Sequence, residues 1–209
     1  MDRLITFGCS HTYGQALKER ETQAWPYIVA DKLNLECINE GQMGASITMM
    51  YHKLMNFDYQ QGDKVICLWS YPNRRHFYES KEEFKDVLPF QATHPEKTTE
   101  EKHLRAAAYY DLIFTEYGNR FENRMMIHHS YNYLKSLGVK SYHTYVLNYE
   151  DPSLYFESRA GRVPYLKANW NNTWYNGDRG DDNSHGGVGV HKLFAKQILD
   201  EIGGVSRLI

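Results

Sequence analysis

The sequence contains few cysteines, and those it has follow no pattern. Cys9, Cys37 and Cys67 are an odd number, scattered through apolar stretches of a 209-residue chain. Such a set argues against a disulfide framework and does not match the ligand spacing of a zinc site. We therefore expect three reduced, buried thiols in a reducing compartment. A chain of this length buries roughly 70% of its unfolded surface, so apolar packing can hold its core without a metal ion or a disulfide.

The sequence also lacks long apolar runs and an excess of charge of one sign. It contains no run of about eighteen apolar residues, the length that a membrane-spanning helix needs, and no apolar signal segment at its start. We expect no membrane span, no secretory signal and a cytoplasmic location. The 24 basic and 26 acidic residues give a formal net charge of −2, without the basic surplus of a nucleic-acid-binding protein. We therefore expect no nucleic-acid partner.

The residue that the sequence has in excess is tyrosine. The chain contains 17 Tyr, with 9 Phe and 4 Trp, within hydrophobic and charged fractions of 42% and 24% that are ordinary for globular proteins. The aromatic residues are interpreted as packing under long loops or, alternatively, as the lining of a substrate groove of the kind found in carbohydrate sites.

The first part of the chain alternates short apolar runs with helical patterns. Apolar runs predict strands over residues 4–7, 35–38 and 65–69, and apolar spacing predicts helices over 24–33 and 45–57. The connections are too long for hairpins, so the strands are expected to be parallel, with helices on both faces of the sheet. This order predicts an α/β fold.

The middle of the chain is less regular. Residues 71–103 are polar and irregular, and Thr98 with Glu101 forms a capping-box pattern that predicts a helix to about residue 117. A second helix is predicted from about residue 119 to 137, where Gly138 ends it.

The last part of the chain predicts a strand over 139–147 and a final helix over 190–202. Residues 148–180 between them are polar, rich in Tyr, Trp and Asn, and without a clear period, so they are interpreted as an irregular insertion. No repeat or linker indicates a domain boundary, and a single domain over residues 1–209 is expected.

A serine follows the first predicted strand, in the sequence Gly8-Cys9-Ser10-His11. Ligand sites of parallel sheets lie just past the carboxyl ends of the strands, so a tight turn at Gly8 could present the Ser10 hydroxyl there. A serine becomes a good nucleophile only when a base removes its proton. The alternative is an ordinary glycine-containing turn without catalysis.

A possible base lies near the end of the chain, in Asp182-Asn183-Ser184-His185. With two residues between them, the Asp182 carboxylate can reach the His185 imidazole in a tight loop, fix its tautomer and leave the other nitrogen free as a base. Alternatively, Asp182 caps the final helix and His185 is a surface residue.

Two further residues follow the second and third predicted strands. Gly44 could let a backbone N–H approach a substrate, although it is also compatible with a plain strand-to-helix turn. Asn73 could aim a side-chain amide into the same crevice, although Pro-Asn is also a common turn pair. Arg74 and Arg75 could bind an anionic part of a substrate or be solvated surface charges, and His11 is a further possible substrate contact.

The joint order of these residues resembles the SGNH hydrolases, also called the GDSL family. The resemblance covers residues 7–199, and its best block is Asp182-x-x-His185 followed by Gly189, His191 and Ala195. It implies a flavodoxin-like three-layer α/β/α sandwich with a mostly parallel sheet of about four to five strands.

The resemblance also implies roles for the candidate residues. Ser10 would be the nucleophile, His185 the base and Asp182 its orienting carboxylate. The backbone N–H groups of Ser10 and Gly44, with the Asn73 side chain, would form the oxyanion hole.

The sequence departs from the family pattern at three positions. Cys9 stands where the family has an aspartate, and Gly186 stands where a proline usually follows the histidine. The third block, Tyr71-Pro72-Asn73-Arg74, lacks the family's glycine, which puts the role of Asn73 most in doubt.

These observations predict a serine hydrolase that cleaves an O-acyl ester of a small molecule or carbohydrate, with a short acyl group such as acetyl, and without metal or cofactor. An acyltransferase or thioesterase on the same site is an alternative within this chemistry. An inactive binding module is the alternative from another class, and a metal-dependent phosphoesterase is the third. The sequence does not predict the oligomeric state.

Overall fold

The structure, a computed structural model, describes residues 2–80, 82–147 and 163–205. The described helices and strands follow one another along the chain in this order: β1 (Arg3–Gly8), α1 (Ser10–Tyr13), α2 (Arg20–Gln23), α3 (Trp25–Lys32), β2 (Glu36–Asn39), α4 (Ile47–Met55), β3 (Lys64–Trp69), β4 (Arg75–Tyr78), β5 (Phe84–Val87), α5 (Pro89–Thr93), α6 (Glu100–Ala108), α7 (Glu116–Ser136), β6 (Lys140–Tyr145), α8 (Trp170–Asn176) and α9 (Val188–Val205). A 3₁₀ turn (Pro95–Lys97) precedes α6, and a π-helical turn (Tyr109–Ile113) follows it.

Four parallel strands form the central sheet, in the order β2-β1-β3-β6. Helix α3 packs on α9, and α4 packs on α7, so that helices flank the sheet. The predicted α/β class and parallel sheet are therefore confirmed. Because all four strands run in the same direction, their carboxyl ends meet at one edge of the sheet, where Gly8 pairs with Leu68 in the strand register.

The central strands are buried along almost their whole length. The side chains of Leu4, Ile5 and Phe7 in β1 are fully enclosed, as is the run from Val65 to Trp69 in β3. Strands covered by helices on both faces need apolar residues at every position, which is why these segments are continuous apolar runs. The strands predicted over 4–7, 35–38 and 65–69 are confirmed to within one or two residues.

The helices predicted over 24–33, 45–57 and 190–202 are also present, and each begins and ends within three residues of its predicted bounds. The helix predicted from Thr98 to about residue 117 is wrong in its end points. Its cap is Thr99, whose Oγ1 accepts a hydrogen bond from the Lys102 N–H, and α6 ends at Ala108. The next helix begins at Glu116 and not at 119, because Thr115 caps it by accepting from the Gly118 N–H.

Several elements were not predicted from the sequence, among them the short helices α1, α2 and α5, a hairpin and helix α8. Strands β4 and β5 pair antiparallel as a hairpin within the segment 71–103 that was interpreted as irregular. Helix α8 lies within the segment 148–180, of which residues 148–162 lie outside the described residues. Asn169 caps α8 by accepting from the Asn172 N–H, so side-chain capping compensates for the weak apolar period of this short helix.

The three cysteines are free thiols. Cys9 and Cys67 are buried, and burial raises the pKa of Cys67. Cys37 is half-buried, and burial raises its pKa to about 12.

No helix within the described ranges is long and apolar enough to cross a membrane.

Candidate active site

Ser10 is the first residue of α1, which begins directly after β1 turns at Gly8 and Cys9. A Cβ at Gly8 would lie 1.9 Å from Thr12 Oγ1, so only glycine lets α1 fold back so closely onto the end of β1. The Cys9 side chain is enclosed in the core, while Ser10 is 4% exposed. Among the described residues, neither the Ser10 hydroxyl nor its N–H has a hydrogen-bond partner.

Asp182 and His185 form a hydrogen-bonded pair in the loop before α9. His185 Nδ1 lies 2.6 Å from Asp182 Oδ2, and Asp182 Oδ1 accepts from the backbone N–H groups of Ser184 and His185, each at 2.9 Å. Burial alone would raise the pKa of Asp182, but these hydrogen bonds outweigh it and hold the pKa below its usual value. The carboxylate therefore stays ionised, and His185 Nδ1 is the nitrogen that donates to it, which leaves Nε2 as the free acceptor.

The loop that carries this pair is fastened at both ends. Asp178 accepts hydrogen bonds from the Gly189 and Val190 N–H groups, at 3.0 and 2.8 Å, and so caps α9. The Asp181 N–H donates to the Ala16 carbonyl at 3.1 Å, which ties the loop to the segment that follows α1. The cap of the final helix is thus Asp178, and the alternative role of Asp182 as that cap is wrong.

His11 connects the serine helix to this loop. Its ring centroid lies 5.4 Å from that of His185 and 4.9 Å from that of Trp170, and its Nε2 lies 3.2 Å from the Tyr71 hydroxyl. Burial, and then the nearby His185 and Arg74, lower the pKa of His11 well below its usual value. His11 is therefore a neutral ring on α1 that packs against His185, Trp170 and Tyr71.

The structure brings Ser10 and His185 to the same end of the sheet without a hydrogen bond between them. Ser10 precedes His11 in α1, and the His11 ring faces that of His185. Catalytic hydrogen bonds are often long before substrate binds and shorten in the substrate complex.

Gly44 lies in the loop between β2 and α4, in the left-handed backbone region with φ +73°. Its N–H has no partner among the described residues. The loop is fastened to the ends of two strands, because the Gln42 N–H donates to the Gly8 carbonyl at 3.0 Å and Ser70 Oγ donates to the Ala45 carbonyl at 2.6 Å. A free backbone amide is therefore held at the carboxyl edge of the sheet.

Residues 73–75, which follow β3, lie in three different environments. Asn73 lies in an exposed turn, where its carbonyl accepts from the Tyr110 hydroxyl and its side chain has no partner within the described ranges. The Arg74 guanidinium lies over the Tyr71 ring, with Cζ 4.4 Å from the ring centroid. Arg75 forms an ion pair with Glu122 on α7, so the two adjacent arginines face different partners.

Sequence reasoning missed Tyr71 and Trp170, which both contact or pack near His11. Tyr71 lies two residues after the end of β3, and its position two residues before Asn73 was the available signal. Trp170 had no such signal, because it lies in α8, a helix that was not predicted. Within residues 2–80, 82–147 and 163–205, no three His, Cys, Asp or Glu side chains are close enough together to hold a metal ion.

Comparisons with known proteins give the fold. No protein-family model and no curated protein matches the chain. A catalytic mutant of an acetylxylan esterase from Geobacillus stearothermophilus superimposes with a TM-score of 0.52 at 16% identity, over 96% of this chain and 94% of that one. A member of the lipolytic protein G-D-S-L family from Veillonella parvula gives a TM-score of 0.39 at 15% identity, over 96% and 97%. The chain has the α/β/α fold of the SGNH hydrolases.

Proposed function

We propose that this protein is a serine-dependent hydrolase that cleaves an O-acyl ester through an acyl-enzyme. The observation that carries the proposal is the Asp182–His185 hydrogen bond of 2.6 Å, in a loop tied to the segment after the helix that begins at Ser10. A carboxylate on one imidazole nitrogen and a free second nitrogen are what a general base for a serine requires.

The reaction starts when His185 Nε2 takes the proton from Ser10 Oγ, as Oγ bonds to the acyl carbonyl carbon. Asp182 accepts the Nδ1–H throughout and stabilises the imidazolium. The bond between carbonyl carbon and alcohol oxygen then breaks, and His185 returns its proton to the leaving alcohol. A water molecule attacks the acyl-enzyme with the same base, which releases the carboxylic acid and restores Ser10. Such acid–base catalysis contributes about 10²–10⁴-fold.

The charge on the carbonyl oxygen would be received by the backbone N–H groups of Ser10 and Gly44 and by the Asn73 side chain. Support comes from the N–H groups of Ser10 and Gly44, which have no partner among the described residues. Each such donor contributes about 10²–10³-fold in other serine hydrolases. The exposed Asn73 side chain would have to turn toward the substrate, so it is the most demanding part of this proposal.

The proposed substrate is an ester of a small molecule or carbohydrate with a short acyl group. A protein with this fold is an acetylxylan esterase, and an open groove of about 660 Å³ is lined by residues 13–22, which start at the end of α1, and by Met43. Its volume falls within the usual range of small-ligand sites. We place the alcohol portion of the ester in this groove.

The test is covalent labelling with a small fluorophosphonate, followed by intact mass measurement and peptide mapping. We expect one adduct on Ser10, absent in Ser10→Ala and strongly slowed in His185→Ala, with all proteins folded by circular dichroism. No adduct on the folded wild-type protein would reject the proposed nucleophile and leave the inactive binding module as the better interpretation.

Identification of the reaction products then distinguishes a hydrolase from an acyltransferase, a thioesterase or a metal-dependent enzyme. Incubation of a p-nitrophenyl ester with and without an added alcohol, followed by mass spectrometry, distinguishes the free acid from a new ester. A thioesterase would cleave an acyl thioester faster than the matched oxygen ester. Loss of activity on treatment with a chelator would instead indicate a metal-dependent reaction.

A further inference from the structure

Arg74 carries a cation that the described protein does not neutralise. No residue within the described ranges forms an ion pair with it, and its Nη1 is shielded from solvent without a hydrogen-bond partner. Its neighbour Arg75 also has an enclosed Nη1 without a partner, but Arg75 pairs with Glu122, and Arg3 pairs with Asp63 at 2.6 Å. An enclosed N–H group without an acceptor is costly and needs a specific explanation.

The position of Arg74 points to the active site. Its guanidinium stacks on the Tyr71 ring, 4.4 Å from the centroid, and the Tyr71 hydroxyl lies 3.2 Å from His11 Nε2. The His11 ring is in turn 5.4 Å from that of His185. Arg74 is also one of the charges that lower the pKa of His11, which is consistent with this short chain of contacts.

The other groups that the structure describes near His11 do not balance the charge. The Asp182 carboxylate already accepts hydrogen bonds from His185 and from two backbone N–H groups. His11 is neutral, since its pKa lies well below the usual value. The Arg74 guanidinium is oriented by the Tyr71 ring and has no charged partner among the described residues, so it can bind a ligand carboxylate.

We propose that Arg74 binds a carboxylate of the ester substrate, so that the enzyme prefers O-acyl esters that carry an acid group. The inference rests on the proposed function, because it names the substrate class of the same site. The acid group could belong to the alcohol, as in an acylated hydroxy acid, or to the acyl group, as in a half-ester of a dicarboxylic acid. Both have the same chemistry at Arg74, and the experiment separates them.

The kinetic test compares each acid with its own methyl ester, which removes the charge and adds one methyl group; release of the acyl or phenol product is followed, so that cleavage of the methyl ester itself is not counted. 3-Acetoxybenzoic acid places the carboxylate on the alcohol side, and mono-p-nitrophenyl succinate places it on the acyl side. We expect the acid of one pair to exceed its methyl ester about tenfold in kcat/KM, mainly through KM, as a charge-assisted hydrogen bond predicts. Arg74→Gln should reduce this ratio to about one.

Arg75→Gln is the matched control, because it removes an adjacent guanidinium that is bound to Glu122. It should retain the acid preference. A wild-type ratio near one in both pairs, or a preference that survives in Arg74→Gln, would overturn the inference.

A binding measurement separates this inference from the proposed function. Isothermal titration of Ser10→Ala with the same acids and methyl esters needs no turnover. We expect tighter binding of one acid, lost in Ser10→Ala/Arg74→Gln and weakened by added salt. If wild-type protein cleaves no ester but this binding persists, the proposed function fails and the Arg74 site stands. If acid and methyl ester bind equally, or neither binds, the Arg74 site is rejected whatever the activity.

Discussion

Ser46 Oγ lies 2.8 Å from His76 Nδ1, and both side chains are buried. Ser46 also caps α4 by accepting from the Met49 N–H at 3.1 Å, so its own hydrogen is available to donate to His76. Burial lowers the pKa of His76 to about 4, which keeps the imidazole neutral and able to accept. The pair therefore ties the β4–β5 hairpin to the start of α4, two residues after Gly44.

Replacement of His76 tests whether this bond positions the Gly44 loop. His76→Leu leaves the buried Ser46 hydroxyl without its acceptor, and we expect a loss of about 1–3 kcal/mol in the free energy of unfolding. If the bond also orients the Gly44 amide, kcat should fall while KM changes little. Urea denaturation and ester kinetics measure the two effects, and His76→Gln, which restores an acceptor, should recover part of kcat. A stability loss with unchanged kcat would show a purely structural bond.

The buried histidines predict how stability depends on pH. His143, which accepts from Trp69 Nε1 at 3.1 Å, has its pKa lowered to about 3 by burial, and His191 likewise has a pKa of about 3. In the unfolded chain these imidazoles take up protons near pH 6.5, whereas in the folded protein they do not. The unfolded state thus binds more protons below this pH, and the free energy of unfolding should fall as the pH drops from about 6.5 toward 3.

The expected effect is about 1–2 kcal/mol for each histidine between pH 7 and pH 5. Urea denaturation at a series of pH values measures it. His143→Gln keeps an acceptor for Trp69 but cannot titrate, so its stability should depend on pH less steeply, by about one proton. A wild-type stability that is constant from pH 7 to pH 5 would contradict the neutral buried histidines.

Two aspartates of the same loop should separate catalysis from stability. Asp182→Asn keeps an acceptor for the Ser184 and His185 N–H groups but removes the charge that fixes the His185 tautomer. We expect kcat to fall about 10³–10⁴-fold, as in related triads, with little change in unfolding free energy.

Asp178→Ala is the comparison variant. It removes the cap of α9, and a loss of about 0.5–2 kcal/mol in the free energy of unfolding is expected, with a smaller effect on kcat than that of Asp182→Asn. Equal kcat losses in the two variants would mean that Asp182 acts only by holding the loop.

The central sheet could be predicted because the apolar pattern of each strand lies within the strand's own residues. The run from Val65 to Trp69 is apolar at every position, and only a strand covered on both faces requires that. The β4–β5 hairpin could not be predicted, because its four-residue strands mix charged, aromatic and apolar residues without an alternating pattern and form a separate two-stranded sheet. Its stability depends on contacts with distant residues, such as the bond from the Tyr110 hydroxyl to the Val87 carbonyl.

In the candidate site too, contacts between near neighbours in sequence could be predicted and contacts between distant residues could not. Asp182 and His185 are three positions apart, so their spacing alone indicated a contact. The His11–Tyr71 contact joins residues 60 positions apart, and it exists only because the ends of β1 and β3 are neighbours in the sheet. The difference between Arg74 and Arg75 likewise depends on Glu122 in a later helix.

Gly44 and Gly138 allow the proposed role of the Gly44 amide to be tested at matched backbone cost. Their φ angles are +73° and +72°, and a methyl group has room at both: its nearest contact at Gly44 is Leu88 Cδ1 at 3.7 Å, and nothing lies within 4 Å at Gly138. Each alanine should therefore cost about 1 kcal/mol of stability through the strained left-handed backbone.

Only Gly44→Ala should lower catalysis. Its strain tilts an amide that we place in the oxyanion hole, and loss of one such donor costs about 10²–10³-fold in kcat. Gly138 ends α7 before β6, at the opposite edge of the sheet from Ser10, so Gly138→Ala should be destabilised to the same extent with an unchanged kcat. Thermal unfolding and ester kinetics on both variants give the comparison. If the two alanines reduce stability and kcat equally, the Gly44 amide has no part in the reaction, and its left-handed conformation serves only the turn into α4.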